Sequence, residues 1–400
     1  MGLFFVVYLM VEENIAVRTQ RPARIMVVAG EASGDLHGGR LVKALKGLLP
    51  DLEICGMGGR SMAESGVDIL VDISRLAVVG VVEVLGHGRD ILEAFLILNR
   101  HLRNYPPDLL VLIDYPEFNF LLARKAKQLK IPVFYYISPQ VWAWRSRRVK
   151  KIKRLVDRMA VILPFEKEFY ALKGMEVDFV GHPLLDSVRT TMSKADFFEK
   201  NGLDPRAATV GILPGSRKKE AATLLPIFLT AARDLASQRK NIVFLLPLAS
   251  TLTIHDLHNA GFDDKGLDVR VIANDTYDLM ASCDLAVAAS GTVTLELAIL
   301  GVPMVVAYRV SPITYFLGRW LIEVEHIALV NLVAGKRVVP ELVQKSLQPQ
   351  VLHDEMVRIL DNEEVRNVMR RNLFEVTKRL GLPGASERTA RLILDFFTPN

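Results

Sequence analysis

Apolar positions along this chain follow two alternating rhythms. Short unbroken apolar runs recur at 25–29, 109–113, 133–137 and 159–163. After about Asp186 the pattern restarts, with runs at 209–213, 242–247, 269–272, 285–289 and 304–307. A run that is apolar at nearly every position has no solvent face, so it reads as a strand covered on both sides, as in parallel sheets. Between the runs, apolar residues return at helical spacing, for example over about 36–48, which stops before Pro50, and over 124–130. Short strands alternating with helices predict an α/β protein with parallel sheets. The restart predicts two Rossmann-like domains facing across a cleft, with the boundary between Gly181-His182-Pro183 and Pro205. The layout expected is a dispensable extension at 1–23, domains at 24–185 and 186–365, and a helical segment at 366–400 that crosses back to pack on the first domain.

Open sheets of this kind bind ligands beyond the C-terminal ends of their strands, which directs attention to the turns there. After 285–289 comes Ser290-Gly291-Thr292, then a helix that ends at Gly301 with Pro303 just beyond. Such a turn aims free N–H groups and a positive dipole end at one spot, where an anion fits. Glu296 follows one helical turn in, about 6 Å along the axis from Thr292. A carboxylate there suits ribose hydroxyls beside a diphosphate; the same residues also suit an ordinary βα unit with a surface Glu. After 209–213, Gly215-Ser216-Arg217 repeats the device and adds a guanidinium that fits a diphosphate, or is a solvated basic turn. It is not a P-loop, since G-x-x-x-x-G-K is absent.

The first strand runs into Gly30-Glu31-Ala32-Ser33-Gly34-Asp35. Its glycines do not form G-x-G-x-x-G, which argues against a nicotinamide enzyme. Glu31, Ser33 and Asp35 suit a sugar with several hydroxyls, while Ser33 or Asp35 also suits a helix cap. Asp114 is the first charged residue after 109–113. Partial burial would raise its pKa and fit it for general-base work, with Glu117 the competing carboxylate and a plain turn before Pro116 the alternative. Trp142 and Trp144 can line a sugar or acyl site, or pack in the core. Arg145 opens a basic stretch that runs to Arg154 and suits anionic headgroups, a substrate phosphate or plain solvent. The strongly apolar stretches at 78–85 and 91–98 suit acyl chains or a membrane, or simply the core. His37, His182 and His326 read as turn or packing residues.

Composition narrows this picture. The 400 residues are 50% hydrophobic and 24% charged, enough for two domains with proper cores. A net charge of +5 and a pI near 9.1 suit an acidic small molecule or an anionic membrane, and no nucleic-acid-binding module is visible. Two cysteines argue against a disulfide framework and point to a reducing compartment; Cys283 reads as packing. The apolar run at 3–11 is too short to span a bilayer and lacks a basic flank, so it is a poor signal peptide. Neither H-E-x-x-H nor G-x-S-x-G is present, and the histidines show no metal-ligand spacing.

Taken in order, the motifs resemble one family. They are Ala29-Gly30-Glu31-Ala32-Ser33-Gly34-Asp35, the stretch at 76–86, Ile113-Asp114-Tyr115-Pro116, Ser138-Pro139-Gln140-Val141-Trp142-Ala143-Trp144-Arg145, Leu163-Pro164-Phe165-Glu166-Lys167, Leu213-Pro214-Gly215-Ser216-Arg217, Ala289-Ser290-Gly291-Thr292 and Asn331-Leu332-Val333-Ala334-Gly335. From Ile25 to near the C-terminus the chain is similar to lipid-A-disaccharide synthases, inverting glycosyltransferases of the GT-B fold. The N-terminal extension is the main departure.

The resemblance implies UDP-2,3-diacylglucosamine as donor and 2,3-diacylglucosamine 1-phosphate as acceptor, giving the β-1,6-linked disaccharide 1-phosphate and UDP. The first domain would hold the acceptor and its lipid, the second the donor. The resemblance raises Asp114 above Glu117 as the base and adds Arg309, Asn331 and Gln344 as second-rank donor contacts. Arg217, the Ser290-Gly291-Thr292 amides and the helix dipole would stabilise departing UDP, Glu296 would hold the ribose, and domain closure would exclude water. No cofactor and no required metal is expected, since no D-x-D motif stands at such a turn. The enzyme is expected in the cytoplasm, on the inner face of the inner membrane and in contact with its surface lipids, without nucleic acid; a homodimer is left open. Rivals are another UDP-sugar enzyme, such as a UDP-N-acetylglucosamine epimerase or a transferase for a different lipid, and a non-catalytic nucleotide- or lipid-binding protein.

Overall fold

The computed structural model describes residues 22–75, 88–144, 146–310 and 325–397. The expected extension, except for its last two residues, and the apolar run at 78–85 lie outside the described residues, as does Arg145. The chain forms two compact units. One runs up to Pro183 and takes in the segment from Leu382 onward; the other is Leu184–Gly381.

In the first unit the strands are β1 (Arg24–Ala29), β2 (Glu53–Gly58), β3 (Asp68–Asp72), β4 (Leu109–Ile113), β5 (Val133–Tyr136), β6 (Arg158–Val161) and β7 (Asp178–Phe179). All pairs are parallel, in the order β3-β2-β1-β4-β5-β6-β7. Alternate strand residues enter two separate cores, as the two-residue period of a strand requires. Met26, Val28, Leu110, Leu112, Val133 and Tyr135 point to one face, which the helices Gly88–Asn104, Pro116–Gln128 and Val149–Leu155 cover. Ile25, Val27, Leu109, Val111, Phe134 and Tyr136 point to the other, beneath the helices Ala32–Leu48 and Ala385–Leu394.

In the second unit the strands are β8 (Ala208–Leu213), β9 (Ile242–Pro247), β10 (Val269–Ile272), β11 (Leu285–Ala289), β12 (Met304–Tyr308) and β13 (Glu341–Val343), all parallel, in the order β10-β9-β8-β11-β12-β13. In each unit the strand order reverses beside the first strand, the doubly wound arrangement. At those reversals β1 pairs with β4, Ala29 beside Ile113, and β8 pairs with β11, Leu213 beside Ala288. The turns that leave these four strands are therefore neighbours in pairs.

Several elements differ from expectation for identifiable reasons. The helix expected from about Leu36 starts at Ala32, and the one expected at 124–130 spans Pro116–Gln128. Ile137 leaves β5 because its backbone is left-handed, φ 64. β2 carries two glycines and β3 is flanked by aspartates, which hid both from an apolar-run criterion, while β7 and β13 are too short to show one. The returning segment begins at Leu382 rather than 366: the helix Glu363–Arg379 packs on Val293–Ile299 and Leu329–Ala334 inside the second unit. Beyond it, Ala390, Ile393 and Phe397 enter the first unit's core, and Arg388 donates to the Val180 carbonyl.

Candidate active site

The turns after β1 and β4 bring Glu31, Asp114 and Tyr115 together. Gly30 is a close approach: a Cβ there would meet the Tyr115 ring at 2.2 Å. Asp114 is half-buried, and loss of hydration, with the Glu31 charge second, pushes its carboxyl up to about 6. The Tyr115 N–H donates to that carboxylate. Glu117, the competing carboxylate, is exposed and paired with Arg148 at 2.5 Å. Asp114 and Tyr115 both have left-handed backbones, φ 45 and 46.

Asp35 does not face the turn's open side. Its carboxylate is buried and accepts the N–H groups of Gly59, Ser61 and Met62 at 2.6, 2.9 and 3.1 Å. It thus caps the helix Arg60–Glu64, not its own helix, and is withdrawn from the sugar-binding role expected of it. Ser33 is exposed on the first turn of Ala32–Leu48. His37 and His182 are held neutral by burial, which pushes them down to about 4 and about 3.

Trp142 likewise turns inward, against the expected ligand-facing role. It is buried, its indole N–H donates to Glu166 Oε1 at 3.1 Å, and its ring meets Phe165 edge-on. Glu166, itself buried and raised to about 7, accepts from the Leu163 and Ile162 N–H groups as well. Trp142 therefore anchors the loop after β5 and offers no face to a ligand. Trp144 ends the short helix Val141–Trp144.

In the second unit the turns after β8 and β11 meet. Among the described hydrogen bonds, none occupies the N–H of Gly291, Thr292 or Val293. The Ser290 hydroxyl donates to the Ile327 carbonyl at 3.1 Å. Glu296, on the helix Val293–Ile299, is half-buried with no hydrogen-bond or ion-pair partner among the described residues, and burial pushes it up to about 7. The other turn holds an anion of its own. Glu220 accepts the N–H groups of Ser216 and Arg217, and a Cβ on Gly215, φ 101, would stand 2.0 Å from its Oε2. Arg217 is exposed.

Of the second-rank candidates, Asn331 and Arg309 are engaged in internal hydrogen bonds. Asn331 is fully buried: its amide donates to the Val339 carbonyl and to Glu341 Oε1 at 3.0 and 2.6 Å, and its oxygen accepts from Val338 and Val339 at 2.8 and 3.0 Å. All four of its hydrogen-bonding positions are filled, which leaves none for a donor sugar. Glu341 in turn accepts the Ile327 and Ala328 N–H groups, so the pair holds the segment that reaches Ser290. Arg309 donates to the backbone carbonyls of Gln344 and Leu347. Gln344 has a left-handed backbone, φ 53, and a buried Nε2 that has no partner in the structure.

Sequence reasoning missed Glu220, Glu341, Asn119 and Tyr135. The spacing of Glu220, three residues past Arg217 at a helix start, was the one available signal. Among the described residues no three of His, Cys, Asp and Glu converge as a metal site, and no helix is long and apolar enough to cross a membrane. A cavity of about 460 Å³ lies at the other end of the first sheet, where β1, β2 and β3 begin, lined by Arg24, Glu53, Cys55, Asp68 and His101 among others.

Comparison with known proteins agrees with the motifs. The family model for lipid-A-disaccharide synthetase matches residues 25–390. The chain is 51% identical over 372 residues to the lipid-A-disaccharide synthase of Geobacter sulfurreducens, covering 93% of this chain and 97% of that one. With the enzyme of Nitrosococcus oceani it shares 46% over 370 residues, 92% and 95% of the two chains. Solved structures agree in fold at low identity. The glycotransferase of kitacinnamycin superposes with a TM-score of 0.64 at 16% identity, covering 95% of this chain and 100% of that one. Acinetobacter baumannii MurG gives 0.56 at 15%, covering 94% and 100%. The UDP-GlcNAc 2-epimerase of Neisseria meningitidis, solved with UDP-GlcNAc, gives 0.63 at 12%, covering 93% and 100%. With two doubly wound units of the GT-B fold and a family match over nearly its whole length, the chain belongs to the lipid-A-disaccharide synthase family of glycosyltransferases.

Proposed function

We propose that this protein transfers 2,3-diacylglucosamine from UDP to the 6-hydroxyl of 2,3-diacylglucosamine 1-phosphate, with inversion, giving the β-1,6-linked disaccharide 1-phosphate and UDP. The observation that carries the mechanism is the half-buried Asp114 carboxyl, raised to about 6 at the strand-order reversal of the first unit. A base with that pKa is largely ionised at neutral pH yet basic enough to take a hydroxyl proton as the bond to the anomeric carbon forms. Glu31, exposed beside it, is placed to accept acceptor hydroxyls. In the second unit the unoccupied amides of Gly291, Thr292 and Val293 and the guanidinium of Arg217 receive the charge that builds on the departing diphosphate, and Glu296 takes the ribose hydroxyls. These groups supply the positive charge without a metal ion, so turnover is expected in EDTA.

The protein acts at the inner face of the inner membrane in this reading, because both substrates carry acyl chains. Support comes from the helix Gly88–Asn104, which exposes Leu92 and Leu96 at 56% and 51%, and from exposed Leu121 on the neighbouring helix. Arg147, Lys150, Lys153 and Arg154 are exposed on the next segment of the same face.

The test is acceptor-dependent UDP release by purified protein in detergent with EDTA, wild type against Asp114→Asn. Removing a general base lowers kcat by about 10²- to 10⁴-fold, with UDP binding preserved. Near-normal turnover in that variant overturns the base assignment. Release without a disaccharide product overturns the acceptor.

A further inference from the structure

The backbone that carries Asp114 is strained, and the structure shows what holds it there. After Ile113 ends β4, two consecutive non-glycine residues, Asp114 and Tyr115, are left-handed. That conformation is unfavourable for residues that carry a Cβ, so it persists only where other contacts over-determine it. The contacts converge on one atom. The Asp114 carbonyl oxygen accepts the Tyr135 hydroxyl at 2.5 Å and Asn119 Nδ2 at 2.6 Å. Asn119 Nδ2 also donates to the Ile113 carbonyl at 3.2 Å.

Both donors are fully buried and come from different elements. Tyr135 lies on β5, beside Leu112 of β4, and Asn119 is in the first turn of Pro116–Gln128. The Asn119 oxygen is buried with no partner among the described residues, so the residue serves here as a donor. The Asp114 carboxylate, by contrast, is held among the described residues by the N–H of Tyr115 on the same strained turn. Its direction therefore follows the direction of the peptide that Tyr135 and Asn119 clamp.

We infer that Tyr135 and Asn119 are positioning residues for the Asp114 carboxylate: by clamping its carbonyl oxygen from two elements, they aim the carboxylate at the acceptor hydroxyl. The inference rests on Asp114 being the base. Neither residue touches substrate. Without the clamp the turn relaxes toward ordinary backbone angles, and the carboxylate swings toward water. A misplaced base lowers the rate of the chemical step and leaves donor binding intact. A better-hydrated carboxylate also has a lower pKa; Glu31, whose charge acts on Asp114, is unchanged, and burial keeps the Tyr135 hydroxyl protonated, so its removal takes away no charge.

The experiment compares full-length Tyr135→Phe, Asn119→Ala and Asp114→Asn with wild type for kcat, donor KM, the pH profile of kcat/KM and thermal midpoint. Tyr135→Phe is expected to lower kcat at least tenfold with donor KM within twofold, and to move the acid limb of the profile to lower pH. Asn119→Ala is expected to do the same. A purely structural role lowers the thermal midpoint and leaves the acid limb where it was. A folded Tyr135→Phe or Asn119→Ala with kcat and acid limb unchanged overturns the inference. Should Asp114→Asn keep near-normal turnover, the base reading fails first, and that outcome is distinct because it does not depend on either clamp variant.

Discussion

Glu296 shows how much one residue's surroundings decide. A glutamate in the first turn of a helix is ordinarily solvated and ionised, but this one is half-buried, has no partner among the described residues and is raised to about 7. Near neutral pH it is therefore only partly charged. In the proposed role, ribose hydroxyls would donate to the ionised form, so binding would favour ionisation and lower the pKa. The sign follows: UDP binds more tightly as pH rises through 7, with proton release on binding. Titration calorimetry at pH 6 and 8, in buffers of different ionisation heat, is expected to show both effects. Glu296→Gln should weaken UDP by about 10- to 100-fold, the worth of hydrogen bonds to a charged group, and remove this part of the pH slope. Identical slopes in the two proteins would sink the assignment. Asp35 and Trp142 are the counter-examples. The sequence leaves the Asp35 carboxylate open to a sugar and the Trp142 ring open to a sugar or acyl group, but folding satisfies their polar groups internally, with three amides for Asp35 and Glu166 for Trp142.

At the scale of elements, the helix Gly88–Asn104 has two apolar sides. Ala94, Leu98 and Leu102 face the core, while Leu92, Leu96 and Ile97 face outward. The sequence offered core or membrane for 91–98, and the helix serves the core with one stripe and leaves another exposed. A core has no use for the outer stripe, and burying each exposed leucine in lipid is worth up to about 1.5–3 kcal/mol. Sedimentation with vesicles containing anionic lipid is expected to pull down the protein, less so at high salt because exposed basic residues contribute. Leu92→Glu with Leu96→Glu should weaken that binding at least tenfold while UDP affinity holds. Unchanged sedimentation would remove the helix from the membrane contact. The strands show a similar limit of sequence. Long central strands announced themselves by apolar runs, whereas β2, with Gly56 and Gly58, and the three-residue β13 form because neighbours offer them a ladder.

At the scale of the molecule, the chain leaves its first unit at Pro183 and returns at Leu382. The returning helix Ala385–Leu394 covers one face of the first sheet, and Arg158 pairs with both Asp178 and Asp395 to fix it. Deleting 382–400 would expose the surface under Ala390, Ile393 and Phe397 and leave the Val180 carbonyl without Arg388. Calorimetry is expected to show the first unit's transition lowered by many degrees or lost, with UDP binding by the second unit retained; an unchanged transition would contradict a structural role for the return. The sequence alone determined the fold class and the two-unit plan and singled out the turns proposed to carry the chemistry, because apolar runs, glycine-rich turns and isolated charges at strand ends are local properties of the chain. Tertiary structure decided the rest. Only strand order makes the Glu31 and Asp114 turns neighbours, and likewise the Arg217 and Glu296 turns, since β1 pairs with β4 and β8 with β11 across long stretches of chain. Only packing shows that Asp35, Trp142 and Asn331 are filled from within while Glu296 is not, because burial and hydrogen-bond partners are supplied by residues far away in sequence.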